Sequence, residues 1–180
     1  GQSMSFDDMQ FTLTCSIGIA VSPAHGTTLD ELMGKAEEAT GETFRIAGAV
    51  VSKRLEGEKV KEAALDFASF LGKDLGLNAE KAALALAQGA LFALYSFDLY
   101  KSGPVPKPAL HEIVFYVGNR KHTAAVEKAL DQAEAENDAI TIARDLSNEP
   151  GSALYPMELG RRAQKFAKSY GITCKVLDVK

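Results

Sequence analysis

Little in this chain is suited to chemistry on a metal or a thiol. It holds two cysteines and three histidines in 180 residues. Cys15 and Cys174 are far apart and each falls in an alternating apolar run. That pattern predicts buried free thiols in a reduced compartment rather than a disulfide or a metal pair. His25, His111 and His122 lack a second ligand at metal spacing, apart from Glu112 beside His111. Adjacent residues on a strand face opposite ways, so that pair does not converge, and all three histidines read as surface or loop residues. Ser16 and Ser96 have no histidine and acid placed by a triad motif, and no Gly-x-Gly turn for a dinucleotide occurs. Long apolar runs are missing too. Ala82–Leu94 is broken by Gln88 and Gly89 and is too short to span a bilayer, and the polar, acidic Gly1–Gln10 does not read as a leader. Positive charge is sparse: the net charge is -4. The basic clusters Lys53-Arg54, Arg120-Lys121-His122 and Arg161-Arg162 are short and read as solvated helix faces. Neither nucleic acid nor an anionic membrane is therefore expected as a partner.

What is present suits an ordinary globular domain: 46% hydrophobic and 24% charged residues, enough apolar material for one core. Phe11–Ala20 alternates, with Phe11, Leu13, Cys15, Ile17 and Ile19 on one face, and predicts a strand. Thr28 and Glu31 have capping-box spacing ahead of a helix over Leu29–Ala39. Further helices are predicted over Thr43–Leu55, from Asn78 to Leu94, from Thr123 to Leu146 and over Pro156–Ser169. The small residues of the second of these would let another element approach closely. Strands are predicted over Lys59–Phe67, Glu112–Val117 and Ile172–Val179. This alternation predicts an α/β fold, with a mostly parallel or mixed sheet flanked by helices. Asp98 and Lys101 read as an ion pair or cap near a helix end, and Glu134, Glu136 and Asp138 as a wet helix face.

Three strings resemble a known family. They are Ala87-Gln88-Gly89-Ala90-Leu91 through Phe97-Asp98-Leu99-Tyr100-Lys101; Arg144-Asp145-Leu146-Ser147-Asn148-Glu149-Pro150-Gly151; and Tyr155-Pro156-Met157-Glu158-Leu159 leading to Gly171-Ile172-Thr173-Cys174. In this order they resemble the N-terminal domain, inter-domain helix and first catalytic-domain elements of leucyl aminopeptidases with two metal ions. The likeness covers roughly residues 41–180. It implies a cytosolic metallopeptidase that removes N-terminal residues and assembles as a hexamer, with Lys, Asp and Glu ligands holding two divalent metals. The family's ligand strings, such as Asn-Thr-Asp-Ala-Glu-Gly-Arg, do not occur here. No catalytic, cofactor-binding or metal residue can be carried over, and this chain by itself is expected to have no peptidase activity. Tyr155 departs from the family, standing where a capping Thr is usual.

Residues 5–39 look different. Phe11-Thr12-Leu13-Thr14-Cys15-Ser16-Ile17-Gly18-Ile19-Ala20 and the segment Thr28-Leu29-Asp30-Glu31-Leu32 resemble the C-terminal part of a diguanylate cyclase (GGDEF-type) domain, without its nucleotide-binding turn. The two resemblances together suggest a chimera with segments 1–40, 41–147 and 148–180, joined near Ala39–Glu42. The expectation is a cytoplasmic, self-associating α/β protein without a complete active site; the alternatives are a fragment of a leucyl aminopeptidase active only when joined to its C-terminal domain, and an oligomerisation or interaction module. Its first segment would supply a strand to the sheet of Lys59–Phe67 and Glu112–Val117.

Overall fold

A computed structural model describes residues 4–6, 9–11, 40–71, 77–105 and 107–177. Two short strands, β1 (Met4–Phe6) and β2 (Met9–Phe11), pair antiparallel with Met4 opposite Phe11. The expected strand Phe11–Ala20 and helix Leu29–Ala39, with Cys15, Ser16 and His25, otherwise lie outside the described residues.

Helix α1 (Gly41–Gly57) starts at a reciprocal cap. The Thr43 N–H donates to Thr40 Oγ1 (3.4 Å) and the Thr40 N–H to Thr43 Oγ1 (3.2 Å). This is a capping box with Thr in the place usually taken by Glu or Gln. The Thr40-Gly41 pair that interrupts the apolar pattern is thus the helix start. Strand β3 (Glu62–Asp66) leads through a 3₁₀ turn (Phe67–Phe70) to α2 (Ala79–Ala93), where Asn78 Oδ1 accepts the Lys81 N–H at 2.9 Å. Strand β4 (Glu112–Tyr116) then pairs parallel with β3, Glu62 opposite Glu112 and Asp66 opposite Tyr116. A parallel pair needs a crossover, and α2 is that crossover, so the segment is a βαβ unit.

Helix α3 (Arg120–Asn148) begins three residues before the expected Thr123, because Asn119 Oδ1 accepts the Lys121 N–H (3.0 Å). What read as the basic cluster Arg120-Lys121-His122 is its first turn. Helix α4 (Pro156–Ser169) starts at Pro156, the first-turn position that Pro favours. Tyr155 gives it no side-chain cap, but its carbonyl still accepts the Leu159 N–H (3.0 Å), so the departure at Tyr155 leaves the helix start intact. Gly171 (φ +66°) closes the helix in the left-handed region that favours glycine.

The sheet alternates. Ala63, Leu65, Ile113 and Phe115 are half-buried on one face, and Ala64, Val114 and Tyr116 are exposed on the other. Leu65 and Phe115 pack on a core of Phe44 from α1, Phe67 and Phe70 from the turn, Ala82, Ala83 and Leu86 from α2, and Val126 and Ala129 from α3. The Phe67 ring lies 5.8 Å from Phe70 and 5.7 Å from Phe115, while Phe44 meets Phe70 edge-on at 5.8 Å. These are the separations at which aromatic pairs attract beyond their buried area.

Helices α1 and α2 meet backbone to backbone. A Cβ on Gly48 would lie 2.0 Å from the Leu86 carbonyl oxygen, and one on Gly89 would lie 1.8 Å from that of Arg45. The close approach expected from the small residues of α2 is therefore present, and two glycines make it.

Two expectations need correction. Of the expected strand Ile172–Val179, residues 172–177 have no regular secondary structure and pair with no strand among the described residues, and the rest lies outside them. Cys174 is accordingly half-buried rather than buried in a strand. The buried face of α3 stops early. Val126, Ala129 and Ala133 are buried, but Ile140 is exposed, since beyond Ala133 the seam with α2 turns polar. There Gln88 donates to Glu136, and Arg144 Nη1 donates to the Phe92 carbonyl (3.0 Å).

Candidate functional site

The first of the strings that carry the aminopeptidase resemblance lies some fifty residues before the second in sequence and beside it in space. Helices α2 and α3 run side by side in the same direction: Glu80 pairs with Lys128 near one end and Phe92 with Arg144 near the other. The chain leaving α2 is thereby laid against the end of α3. There Tyr95 donates its hydroxyl hydrogen to Asp145 Oδ1 (2.9 Å) and accepts from Asn148 Nδ2 (3.0 Å). The Arg144 guanidinium sits over the Tyr95 ring at 4.2 Å, a cation–π contact. Burial raises the Tyr95 hydroxyl above its ordinary pKa, with the Asp145 carboxylate adding to the rise against the Asn148 donor.

One turn further on, Tyr100 donates to Glu149, whose side chain is only 2% exposed. Arg162, from α4, donates Nη1 to Glu149 (2.7 Å) and Nε to Glu158 (2.9 Å). Arg161 makes a fork on Glu158, with both bonds at 2.7 Å. The Tyr100 hydroxyl and then Arg162 hold the Glu149 carboxyl below its ordinary range. Arg161 and then Arg162 lower Glu158 to about 2. The Arg162 guanidinium is raised in turn, by Glu149 first. Planar bidentate pairing of this kind is the strong form of ion pair.

The remaining candidates stay apart. Asp98 is held by Lys101 and by the Ser96 hydroxyl, which together lower its pKa, so the pair expected there is present. Ser96 therefore donates to an acid, with no histidine among its hydrogen-bond partners in the described residues. Glu136 accepts from Gln88 and Gln132, while Glu134 and Asp138 lie on exposed or half-exposed turns of α3. His111 and Glu112 are exposed and both donate backbone N–H to the Lys61 carbonyl (2.8 and 3.2 Å). Arg54 pairs with Glu58. His122 is half-buried beside a cavity of about 340 Å³ between Phe44, Phe67, Phe70, Leu77 and Ala82. One polar anchor had no signal in the sequence. The Glu56 carboxylate accepts the N–H groups of Ala109 and Leu110 (2.9–3.0 Å), and these two donors lower its pKa. Only the tertiary approach of residues 109–110 to the end of α1 could have disclosed it.

Chemically, the junction is saturated. Glu149 and Glu158 each have a guanidinium, Asp98 has an ammonium, and Asp145 has the Tyr95 hydroxyl. Among the described residues no three His, Cys, Asp or Glu side chains gather as metal ligands would. The arrangement ties elements together.

The model of the cytosol aminopeptidase family, N-terminal domain, matches residues 33–104. A probable cytosol aminopeptidase of Aquifex aeolicus is 32% identical over 162 residues, covering 88% of this chain and 31% of the relative. One of Geobacter sulfurreducens is 32% identical over 146 residues, covering 81% and 28%. The chain is homologous to the N-terminal region of the cytosol aminopeptidases. Among solved structures, the bottromycin maturation enzyme BotP superposes with a TM-score of 0.64 at 29% identity, over 78% of this chain and 28% of that one. A tomato leucine aminopeptidase mutant superposes at 0.60 and 19% identity, over 74% and 26%, a likeness of fold. The chain spans about a third of the length of the curated relatives it matches.

The diguanylate cyclase resemblance of residues 5–39, and the chimera built on it, gain no support. The family match begins at Met33, upstream of the expected junction. An alignment that takes in 88% of the chain necessarily includes part of its first forty residues.

Proposed function

We propose that this chain is the N-terminal portion of a cytosolic aminopeptidase, a protein that removes amino acids from peptide N-termini with two divalent metals. Its part is to fold as a scaffold and to present the long helix α3 together with α4. One observation carries this reading: the homology is to the N-terminal third of such enzymes. The convergence of Tyr95 and Tyr100 on Asp145, Asn148 and Glu149 supports it, since residues recognisable as family strings are the ones that join elements here.

The metals that the family implies find no fitting set among the described residues, because each carboxylate of the junction already has its cation or hydroxyl donor. No step of the chemistry is routed through this chain, and substrate and metals belong to the remaining two thirds of the relatives' length.

The test is a transplant. This chain replaces the corresponding N-terminal region of the Aquifex aeolicus relative, and hydrolysis of leucine anilide is measured with zinc, manganese or magnesium. The hybrid is expected to hydrolyse it and the chain alone is not. Metal-stimulated turnover by the chain alone, surviving further purification, would overturn the reading, as would a folded hybrid without activity.

A further inference from the structure

Helix α4 has fourteen residues, and none of its side chains is buried. An isolated helix of that length is marginal in water, and helices in proteins owe most of their stability to a packed apolar face. Met157, Leu159, Ile172 and Leu177, in and after α4, are exposed, Met157 to 81%. Ala163, Phe166 and Ala167 are only half-buried, so apolar packing on the described body is a small part of what holds α4 in place. Its N-terminus has Pro156 but no side-chain cap, so capping does not explain its position.

What does tie α4 to the rest is polar. Arg162 reaches from its second turn to Glu149, at the end of α3, and Tyr100 reaches the same carboxylate from the loop after α2. Glu149 is thus gripped from two directions, one local to the Glu149-Pro150-Gly151 connection and one from about fifty residues earlier. Glu158 holds the guanidinium of Arg162 from within α4 (Nε to Oε1, 2.9 Å), which orients its remaining nitrogens toward Glu149. A planar guanidinium clamped between two carboxylates has little rotational freedom, so it can fix an angle where a single ammonium could not.

We infer that Tyr100, Glu149, Arg162 and Glu158 form a conformational latch that fixes α4, and with it the direction of the chain beyond, against the α2–α3 body. Arg162 is its positioning residue. The latch is a property of this chain's own residues and stands whether or not the aminopeptidase reading holds.

Hydrogen exchange on the full chain tests it, with α2 as the internal reference. In R162M, which keeps the stem and removes the fork, α4 amides should exchange faster by about tenfold or more, the factor that loss of a charge-assisted hydrogen bond implies. The α2 amides should be unchanged. Y100F, which removes only a hydroxyl, should loosen α4 to a smaller degree. R161M, whose partner is within α4, should have the least effect of the three. Unchanged α4 exchange in both R162M and Y100F would overturn the latch. So would loosening of α2 and α4 together in Y100F, which would make the cluster a general support of the fold.

Discussion

Gly48 and Gly89 do at the residue scale what no other side chain could. With a Cβ built at Gly89 only 1.8 Å from the Arg45 carbonyl oxygen, an alanine there must push α1 and α2 apart. Overpacking of a tight interface costs about 1–3 kcal/mol. G89A should therefore lower stability by at least that much in urea unfolding, and an unchanged midpoint would contradict the crossing described. The carboxylates make a second residue-scale expectation. Glu56, Glu149, Glu158 and Asp98 all have pKa values lowered by their donors. A group whose folded pKa is depressed contributes stability above its unfolded pKa, near 4.5 for these glutamates, and loses it as pH falls through the folded value. The chain should thus lose stability progressively below pH 4.5, with the contribution of Glu158 persisting until the pH nears its folded value of about 2. Thermal melts across that range check the sign: rising stability on acidification would refute it.

At the scale of elements, caps decide where helices begin. Asn78 and Asn119 each satisfy a first-turn N–H that would otherwise lack a partner. Replacing an Asn cap by Ala costs about 1 kcal/mol. N78A should show that loss in chemical unfolding, and no change would mean that the α2 terminus is held by its packing alone. Element-level legibility followed the same physics. Helices α2 and α4 were readable because Asn78 and Pro156 announce their starts in residue type. The start of α3 was misplaced because Asn119 is followed by three basic residues with no apolar period. The cap of α1 leaves no usual capping string, because the reciprocal bond between Thr40 and Thr43 exists only once the turn has formed. Residues 172–177 have the alternation of a strand but no pairing partner among the described residues, and a strand is defined by its partner.

For the whole molecule, exposed apolar residues set the expectation. Val114 and Tyr116 on the outer face of the sheet, and Met157, Ile172 and Leu177 around α4, are largely open to solvent. Surfaces of this kind mark interaction sites. We propose that the chain self-associates; a clean monomer mass by light scattering at high concentration would count against it. No helix among the described residues is long and apolar enough to cross a membrane.

The sequence by itself determined the alternation of helices and strands, the small-residue contact face of α2 and the family likeness of residues 41–180. These depend on local periodicity, residue size and strings that survive as strings. It also suggested a second family for residues 5–39 on no more than a short alternating strand and a cap, and that suggestion gains no support. Only the tertiary structure decided that the first two family strings meet, that Glu56 holds residues 109–110, and that Glu149 joins Tyr100 to Arg162. The physical reason is distance along the chain. A hydrogen bond between residues about fifty apart leaves no period, and a carboxylate on a helix end looks the same in sequence whether it faces water or a guanidinium.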